Sequence, residues 1–328
     1  MKSVKIVAIS LLLLFIVLVS RYWLFVNKTL KISVFKTLFT KGGLKTLDNS
    51  TNILVLGIPG SSYEGPNLSD TMVVINYNFS KNKATLISIP RDIWSDTLKD
   101  KINSAYAYGE VVKIGGGLIL SKAEIGAIIG LPIQYGIVVD FDNFKKIIDY
   151  LGGINVDIER TFVDNKYPIK GKENEDCAGD EEFKCRHETI KFNKGLNKMD
   201  GDTALMFIRS RNAIGIEGND FARMKRQQLI IDSIKTKVLT QTDFFNLNKI
   251  KTFYSEVDTL LERDITNQQV AIVIKNIFLN RNFSIVNKSL SSDLFYTPDY
   301  SNYDGRYVLI SKDNNFEQIH KYILDILN

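Results

Sequence analysis

The stretch FIRSRNAIGIEGNDFARMKRQQ, residues 207–228, sets Arg209, Arg211, Arg223, Lys225 and Arg226 against only Glu217 and Asp220. Asp202, within DGDTALMFI, can cap a helix whose apolar face includes Leu205 and Ile208, which leaves Arg209 and Arg211 at or just past its C-terminal end. A glycine-bearing loop leads to a second helix with Asn219 or Asp220 as its cap. On that helix Asp220, Arg223 and Gln227 recur at i, i+3 and i+7, on one face near the positive end. A helix N-terminus with arginine forks suits phosphate oxygens, so these cations are read as holding a doubly charged pyrophosphate. A solvated basic helix face is the commoner fate of such a charge run, and it explains poorly why Asp220 and Gln227 share the face of Arg223.

A second constellation comes from strand register. Thr71 to Tyr77 and Ala84 to Ile89 read as strands joined by NFSKNK, an antiparallel hairpin. If Tyr77 faces Ala84, the ladder continues to place Asp70 opposite Arg91. Both lie at a sheet edge, because Gly65 and Pro66 precede one strand and Pro90 ends the other, and ligands of layered α/β folds bind at such edges. An ordinary cross-strand ion pair is the plain alternative. Other chemistries fall away. The chain has two histidines, His187 and His320, and no nucleophile elbow. The glycines 115–117 lack the Lys-Ser/Thr of a P-loop. Carboxylate and arginine without histidine suit metal-assisted phosphoryl transfer.

The elements that must position these groups alternate along the chain. Asn52 to Leu56 is a short buried strand. Helical patterns cover Ile102–Val112, Leu118–Ile129, Phe141–Leu151, Asp202–Ile208, Asp220–Leu239 and Thr266–Phe278, with strands at Tyr135–Val139, Ile154–Ile158, Phe283–Val286 and Tyr307–Ile310 and a last helix from about Asn315. That pattern predicts a layered α-β-α domain with a central mixed sheet. The segments GLILSKAEIGAIIG and FKKIIDYLGGI fit either a lipid-tail channel or ordinary core. At 328 residues, 45% hydrophobic and 24% charged, the chain can bury a sizeable core, and a net charge of +5 is too weak to argue for nucleic acid.

Val4 to Val26 is long and apolar enough to span a bilayer if Lys5 lies at one interface and Arg21 snorkels, with Tyr22 and Trp23 as interfacial anchors. A cleaved signal peptide is the competing reading, but Leu18 and Ser20 make no small-x-small site. The expected organisation is therefore a tail and anchor over 1–26, a lysine-rich stalk over 27–50 and the body over 51–328. The lysines after the span argue by count for a cytoplasmic body. Cys177 and Cys185, eight residues apart in an acidic loop, argue for a disulfide and so for an oxidising compartment. Two free thiols, or a zinc site using His187, are the weaker readings.

The series NILVLG, LSDTMVVINYN, ISIPRDIW, KINSAYAYG, GLNKMDGDTALMFIRSR and DFARMKRQQ resembles the LytR-CpsA-Psr family from about Asn52 to Ile234. The resemblance implies a membrane-anchored, extracytoplasmic enzyme that moves a glycopolymer from an undecaprenyl-pyrophosphate carrier to peptidoglycan. It implies Arg91 as catalytic arginine, Arg209 and Arg211 as pyrophosphate clamp, and Asp220, Arg223 and Gln227 as a second polar cluster; in the mechanism expected from these residues Asp220 serves as base or orienter. It further implies that Asp70 binds Mg²⁺. The chain departs from the family at LGIPG, where Pro59 stands in place of a second metal aspartate; Glu64 is the candidate substitute and Asp92 a further contact. A binding protein that sequesters polyprenyl-pyrophosphate intermediates is the alternative function, and a tethered transcription regulator lacks any DNA-binding element. In intact cells an impermeant maleimide should label neither Cys177 nor Cys185 before reduction and both after it; labelling without reductant would remove the bridge.

Overall fold

The computed structural model describes the backbone of residues 2–39, 43–172, 174–240, 247–279 and 283–328. Side chains at 2–8, 11, 14, 18, 220, 239, 247–251, 253, 278 and 279 lie outside the description. Helix α1 spans Lys2–Leu24 and continues into a π-helical turn, Phe25–Thr29. Among the described residues no helix is long and apolar enough to cross a membrane, so the expected span over Val4 to Val26 stands on its sequence alone. The short helix α2, Val34–Phe39, belongs to the stretch expected to be a stalk. It lies against the body: the Ser33 amide donates to Gln268 Oε1 at 2.7 Å and Gln268 Nε2 donates to Thr37 Oγ1 at 2.8 Å.

β1 (Ser50–Ile58), β2 (Thr71–Asn78) and β3 (Lys83–Ser88) form an antiparallel meander rich in β-branched residues. Tyr77 faces Ala84, the register on which the Asp70–Arg91 inference depends. The chain crosses through α3 (Ala105–Val112) and α4 (Gly117–Ile129) to β4 (Tyr135–Asp140), which joins β1 in parallel. α5 (Phe141–Tyr150) follows at once, capped by Asp140, which accepts the Asn143 amide at 2.7 Å. Then come β5 (Ile154–Ile158), β6 (Phe162–Pro168), β7 (His187–Phe192) and β8 (Gly195–Met199), paired β5 with β8 and β6 with β7. α6 (Gly201–Arg209), α7 (Asp220–Thr240) and α8 (Leu247–Thr259) precede β9 (Glu262–Arg263), α9 (Asn267–Leu279), β10 (Ser284–Ser289) and α10 (Glu317–Leu327).

The main sheet runs β9-β4-β1-β2-β3-β10, with parallel and antiparallel neighbours mixed. On one face Leu54, Leu56, Val74 and Ile87 pack with Ile125, Ile128 and Ile129 of α4 and Ile319 and Ile323 of α10. On the other, Val73, Tyr77 and Leu86 meet Ile231 of α7 and Val273 and Ile277 of α9. Helices thus cover both faces, the layered α-β-α arrangement that the alternation of elements predicts. A second core under α5, α6 and α7 gathers Ile148, Ile154, Val156, Phe162, Phe192 and Phe207. Both segments considered for a lipid channel contribute to these cores: Leu118 and Ile125 to the first, Ile148 and Ile154 to the second.

Three expectations change. Asp200, not Asp202, caps α6, accepting the Thr203 amide at 2.9 Å, because the helix begins at Gly201 and leaves Asp202 in its first turn. The strand expected at Tyr307–Ile310 shrinks to Ile310–Ser311 and pairs with Phe295–Tyr296 outside the main sheet. β6, β7 and β8 were not anticipated, because few of their residues are buried and no long apolar run marks them. Cys177 and Cys185 are bonded, with Cα atoms 5.5 Å apart, in the loop from β6 to β7.

Gly201 sets how closely α6 approaches α5. A Cβ there would lie 2.4 Å from the Lys145 carbonyl oxygen, a backbone atom that cannot step aside. Gly201→Ala should therefore destabilise the fold by about 1–3 kcal/mol, read as a lowered denaturation midpoint. An unchanged midpoint would show that the two helices can separate without cost.

Candidate functional site

The carboxyl ends of β1, β3 and β4 and the start of β2 meet at one edge of the main sheet. The Asp70 amide donates to the Gly57 carbonyl at 2.8 Å and the Ser69 amide to the Asn103 carbonyl at 2.9 Å, which fixes the backbone that carries the carboxylate. Arg91 Nη1 donates to Asp70 Oδ1, as the hairpin register requires. Asp92, expected as a further metal contact, is buried and committed elsewhere: it accepts Lys101 Nζ at 2.7 Å and stands 3.6 Å from Arg91 Nε. Its carboxylate thus lies between Lys101 and Arg91.

Arg209 ends α6, where the helix dipole favours a cation. Three aromatic rings surround its guanidinium, Tyr63 and Phe141 with centroids at 5.0 Å and Tyr167 at 5.7 Å. Such faces stabilise a cation by about 0.5–2 kcal/mol each while leaving its N–H edge to a ligand. Burial pushes the Tyr167 phenol up, so it stays protonated beside the arginine. The turn that follows is pinned by Asp164, 0% exposed, whose Oδ2 accepts Ser210 Oγ at 2.8 Å, the Arg211 amide at 3.2 Å and the Asn212 amide at 3.1 Å. That turn aims Arg211 into the cleft.

Asn219 caps α7 by accepting the Ala222 amide at 2.8 Å. Asp220 opens this helix, and its side chain lies outside the described residues. Arg223 and Gln227, one turn apart, are buried against the sheet edge, and Gln227 Nε2 donates to Thr71 Oγ1 at 2.8 Å, next to Asp70. The other two cations of the stretch do not join them. Lys225 pairs with Glu159 at 2.6 Å on an exposed face. Arg226 is buried under the turn, donating to the carbonyls of Phe207, Ser210 and Glu217. Desolvation brings its pKa down to about 10, so it remains charged at neutral pH.

The result is a cleft of about 490 Å³ lined by Asp70, Arg91, Arg209, Arg211, Arg223 and Gln227, with Pro59 and Glu64 on the same wall. Among the described residues no group of three His, Cys, Asp or Glu could hold a metal ion by protein ligands alone. Asp70 and Glu64 are carboxylates that both line the cleft. Sequence reasoning missed Asp164 and the three rings around Arg209. Asp164 alternates inward on β6, a strand the pattern did not reveal, and the rings come from three separate elements.

Four arginines and Asp70 line one cleft at the carboxyl edge of the mixed sheet of a layered α/β protein. The chain belongs to the LytR-CpsA-Psr family, whose model (LytR_cpsA_psr) matches residues 28–323. It is 28% identical over 229 residues to the polyisoprenyl-teichoic acid–peptidoglycan teichoic acid transferase TagU of Bacillus mycoides (strain KBAB4), covering 69% of this chain and 64% of that protein. It is also 28% identical over 208 residues to the regulatory protein MsrR of Staphylococcus aureus (strain Mu50), 62% of this chain and 54% of the other. The crystal structure of B. subtilis TagV shares the fold, with a TM-score of 0.59 and 24% identity over 86% of this chain and 98% of that one. TagT bound to LIIa-WTA matches at a TM-score of 0.57 and 20% identity, over 86% and 94%.

Asp164→Ala would leave buried amide donors without an acceptor, at a cost of about 3–5 kcal/mol by analogy with a broken buried charge network. Thermal denaturation should show the loss. Asp164→Asn, which keeps the shape and one acceptor oxygen, should fold and bind inorganic pyrophosphate more weakly than wild type. Full pyrophosphate affinity in the asparagine variant would detach the turn from the site.

Proposed function

We propose that the protein transfers a glycopolymer from an undecaprenyl-pyrophosphate carrier to a peptidoglycan hydroxyl and releases polyprenyl phosphate. The convergence of Arg91, Arg209, Arg211 and Arg223 with Asp70 in one cleft carries this reading. The transferase name of the Bacillus relative supports it. The acceptor hydroxyl forms a new bond to the phosphorus attached to the glycan, and the bond from that phosphorus to the bridging oxygen breaks. Polyprenyl phosphate leaves with the electron pair. Arg91, Arg209 and Arg211 stabilise the charge that grows on the leaving group. Asp220, at the opening of α7, takes or orients the proton of the hydroxyl. Magnesium held by Asp70 and phosphate oxygens, with Glu64 beside it, would supply further charge neutralisation.

In this reading α1 is a single-pass anchor and the body is extracytoplasmic. The 23 residues of α1 make a helix of about 34 Å, comparable in length to a hydrocarbon core, and the anchor reading rests on the apolar sequence from Val4 to Val26. Its described side chains Ile9, Leu12, Leu13, Phe15 and Ile16 are exposed. A stable disulfide between Cys177 and Cys185 favours an oxidising compartment. The rival reading, a catalytically weak protein that sequesters the same intermediates, draws support from Pro59, which puts no carboxylate on the cleft wall.

One experiment separates the two. Given a polyprenyl-pyrophosphate glycan, peptidoglycan and Mg²⁺, the wild-type protein should release polyprenyl phosphate, and Arg91→Ala should slow release about a hundred- to a thousandfold. Asp70→Asn should raise the Mg²⁺ concentration needed for half-maximal rate. Binding of the donor with no release, in wild type and Arg91→Ala alike, would favour sequestration.

A further inference from the structure

We propose that an aromatic surface beside the cleft, formed by Trp94, Tyr300, Tyr303 and Tyr307 with Asp100 and Arg306, is the platform on which the acceptor glycan strand lies; this rests on the transferase reading above. The platform and the cleft share one segment of chain. Arg91 and Asn103 both line the cleft. Between them Trp94–Ser95 pairs antiparallel with Asp100–Lys101, so a tight hairpin keeps its two ends in the cleft and carries Trp94 and Asp100 beyond it. The C-terminal segment is fastened to the same hairpin. The Trp94 amide donates to the Leu309 carbonyl at 3.0 Å, and the Leu309 amide donates to the Asp92 carbonyl at 2.8 Å. Tyr307 also lines a smaller cavity that shares Asp70, Arg91 and Arg223 with the cleft.

The rings are held in fixed mutual orientations at the surface. Trp94 and Tyr303 meet edge to face with centroids 4.7 Å apart, and Tyr300 and Tyr307 do the same at 6.3 Å. Tyr300 is 49% exposed and Tyr307 41%. Arg306 lies 5.6 Å from the Trp94 ring centre and forms an ion pair with Asp100, which also accepts the Tyr108 hydroxyl. Rigid, exposed aromatic faces beside a planar carboxylate–guanidinium pair match the two aspects of a pyranose. Its C–H face stacks on a ring, and its equatorial hydroxyls meet charged acceptors and donors. The tyrosines bring this contact area at little entropic cost.

The same surface carries no excess of positive charge, since Asp96 pairs with Lys99 and Asp100 and Asp304 share Arg306. Asp96 accepts from Trp94 Nε1 at 3.3 Å, Asp299 caps the turn that carries Tyr300, and Asp304 pairs with Arg306. A nucleic-acid strand, which would also stack on aromatic rings, needs cations here rather than carboxylates. A neutral sugar chain has no such requirement. A glycan lying along these rings would bring one of its hydroxyls to the Arg91 side of the cleft, where the donor phosphorus is proposed to sit.

The chain has two tryptophans, Trp23 and Trp94, so Trp23→Phe leaves Trp94 as the single tryptophan, read by exciting above the tyrosine absorption. In the full-length protein in detergent micelles, soluble uncrosslinked peptidoglycan strands should change Trp94 emission saturably. Tyr300→Ala and Tyr303→Ala should each weaken that binding about tenfold, the loss expected for one removed stacking ring, with binding of a polyprenyl-pyrophosphate donor unchanged. No saturable change, or binding that both variants leave intact, overturns the platform even if donor is cleaved. A saturable change that the variants weaken, in a protein that never cleaves donor, upholds the platform and overturns the transferase reading.

Discussion

Holding several guanidinium groups within one small cleft is the constraint on which the rest of the structure depends. Like charges at such range repel, and the repulsion grows as water is excluded. The protein offsets part of it by giving Arg91, Arg209 and the underlying Arg226 separate partners. Arg91 has Asp70 and Asp92, Arg209 has three ring faces, and Arg226 below the turn has Glu217 and three carbonyls. Asp164 holds the backbone between Arg209 and Asn212 by neutral donors, so its charge also sits under the cluster. A bound pyrophosphate would then add favourable interactions to groups already in place, without the cost of gathering them.

The surrounding fold makes this convergence possible. β1 and β4 run in parallel and deliver their carboxyl ends to the same edge, where α5 begins. The β2–β3 hairpin brings Asp70 and Arg91 to that edge from opposite directions. The lobe containing β6 and α6 supplies Arg209 and Arg211, and α7 crosses from that lobe to the back of the main sheet, with Ile230 in one core and Ile231 in the other. Because α7 bridges both cores, its Arg223 and Gln227 can face the sheet edge while its other residues fix the two lobes together. The hairpin from Trp94 to Lys101 extends the same edge outward, so the proposed acceptor surface and the phosphate cleft share a rigid segment.

Much of this was legible in the sequence. Alternating runs such as TMVVINYN and ATLIS, separated by a short polar turn, fixed a hairpin and its register, and the register alone placed Asp70 beside Arg91. Helical spacing put Arg223 and Gln227 on one face of α7. The paired cysteines in an acidic loop announced their bond. The small strands β6, β7 and β8 were not legible, because each buries only one to three of its residues and polar or exposed positions interrupt any apolar run. Asp202 was read as a cap because Asp200, two residues earlier, offers the same carboxylate, and a shift of that size leaves the local pattern nearly unchanged.

By itself the sequence determined the layers, the hairpin register and which cations lie near a helix end, since all of these follow from local periodicity and short-range pairing. It could not decide which cations of FIRSRNAIGIEGNDFARMKRQQ face a ligand. Arg223 and Arg226 differ by three positions on the same helix; one lines the cleft and the other is buried under a turn. That choice was made by tertiary packing: the carbonyls at the end of α6 and the Glu217 carboxylate happen to lie over Arg226, and the sheet edge lies beside Arg223. A charge takes whichever partner the fold brings within a few ångströms, and the positions of those partners are set by contacts far apart in the chain.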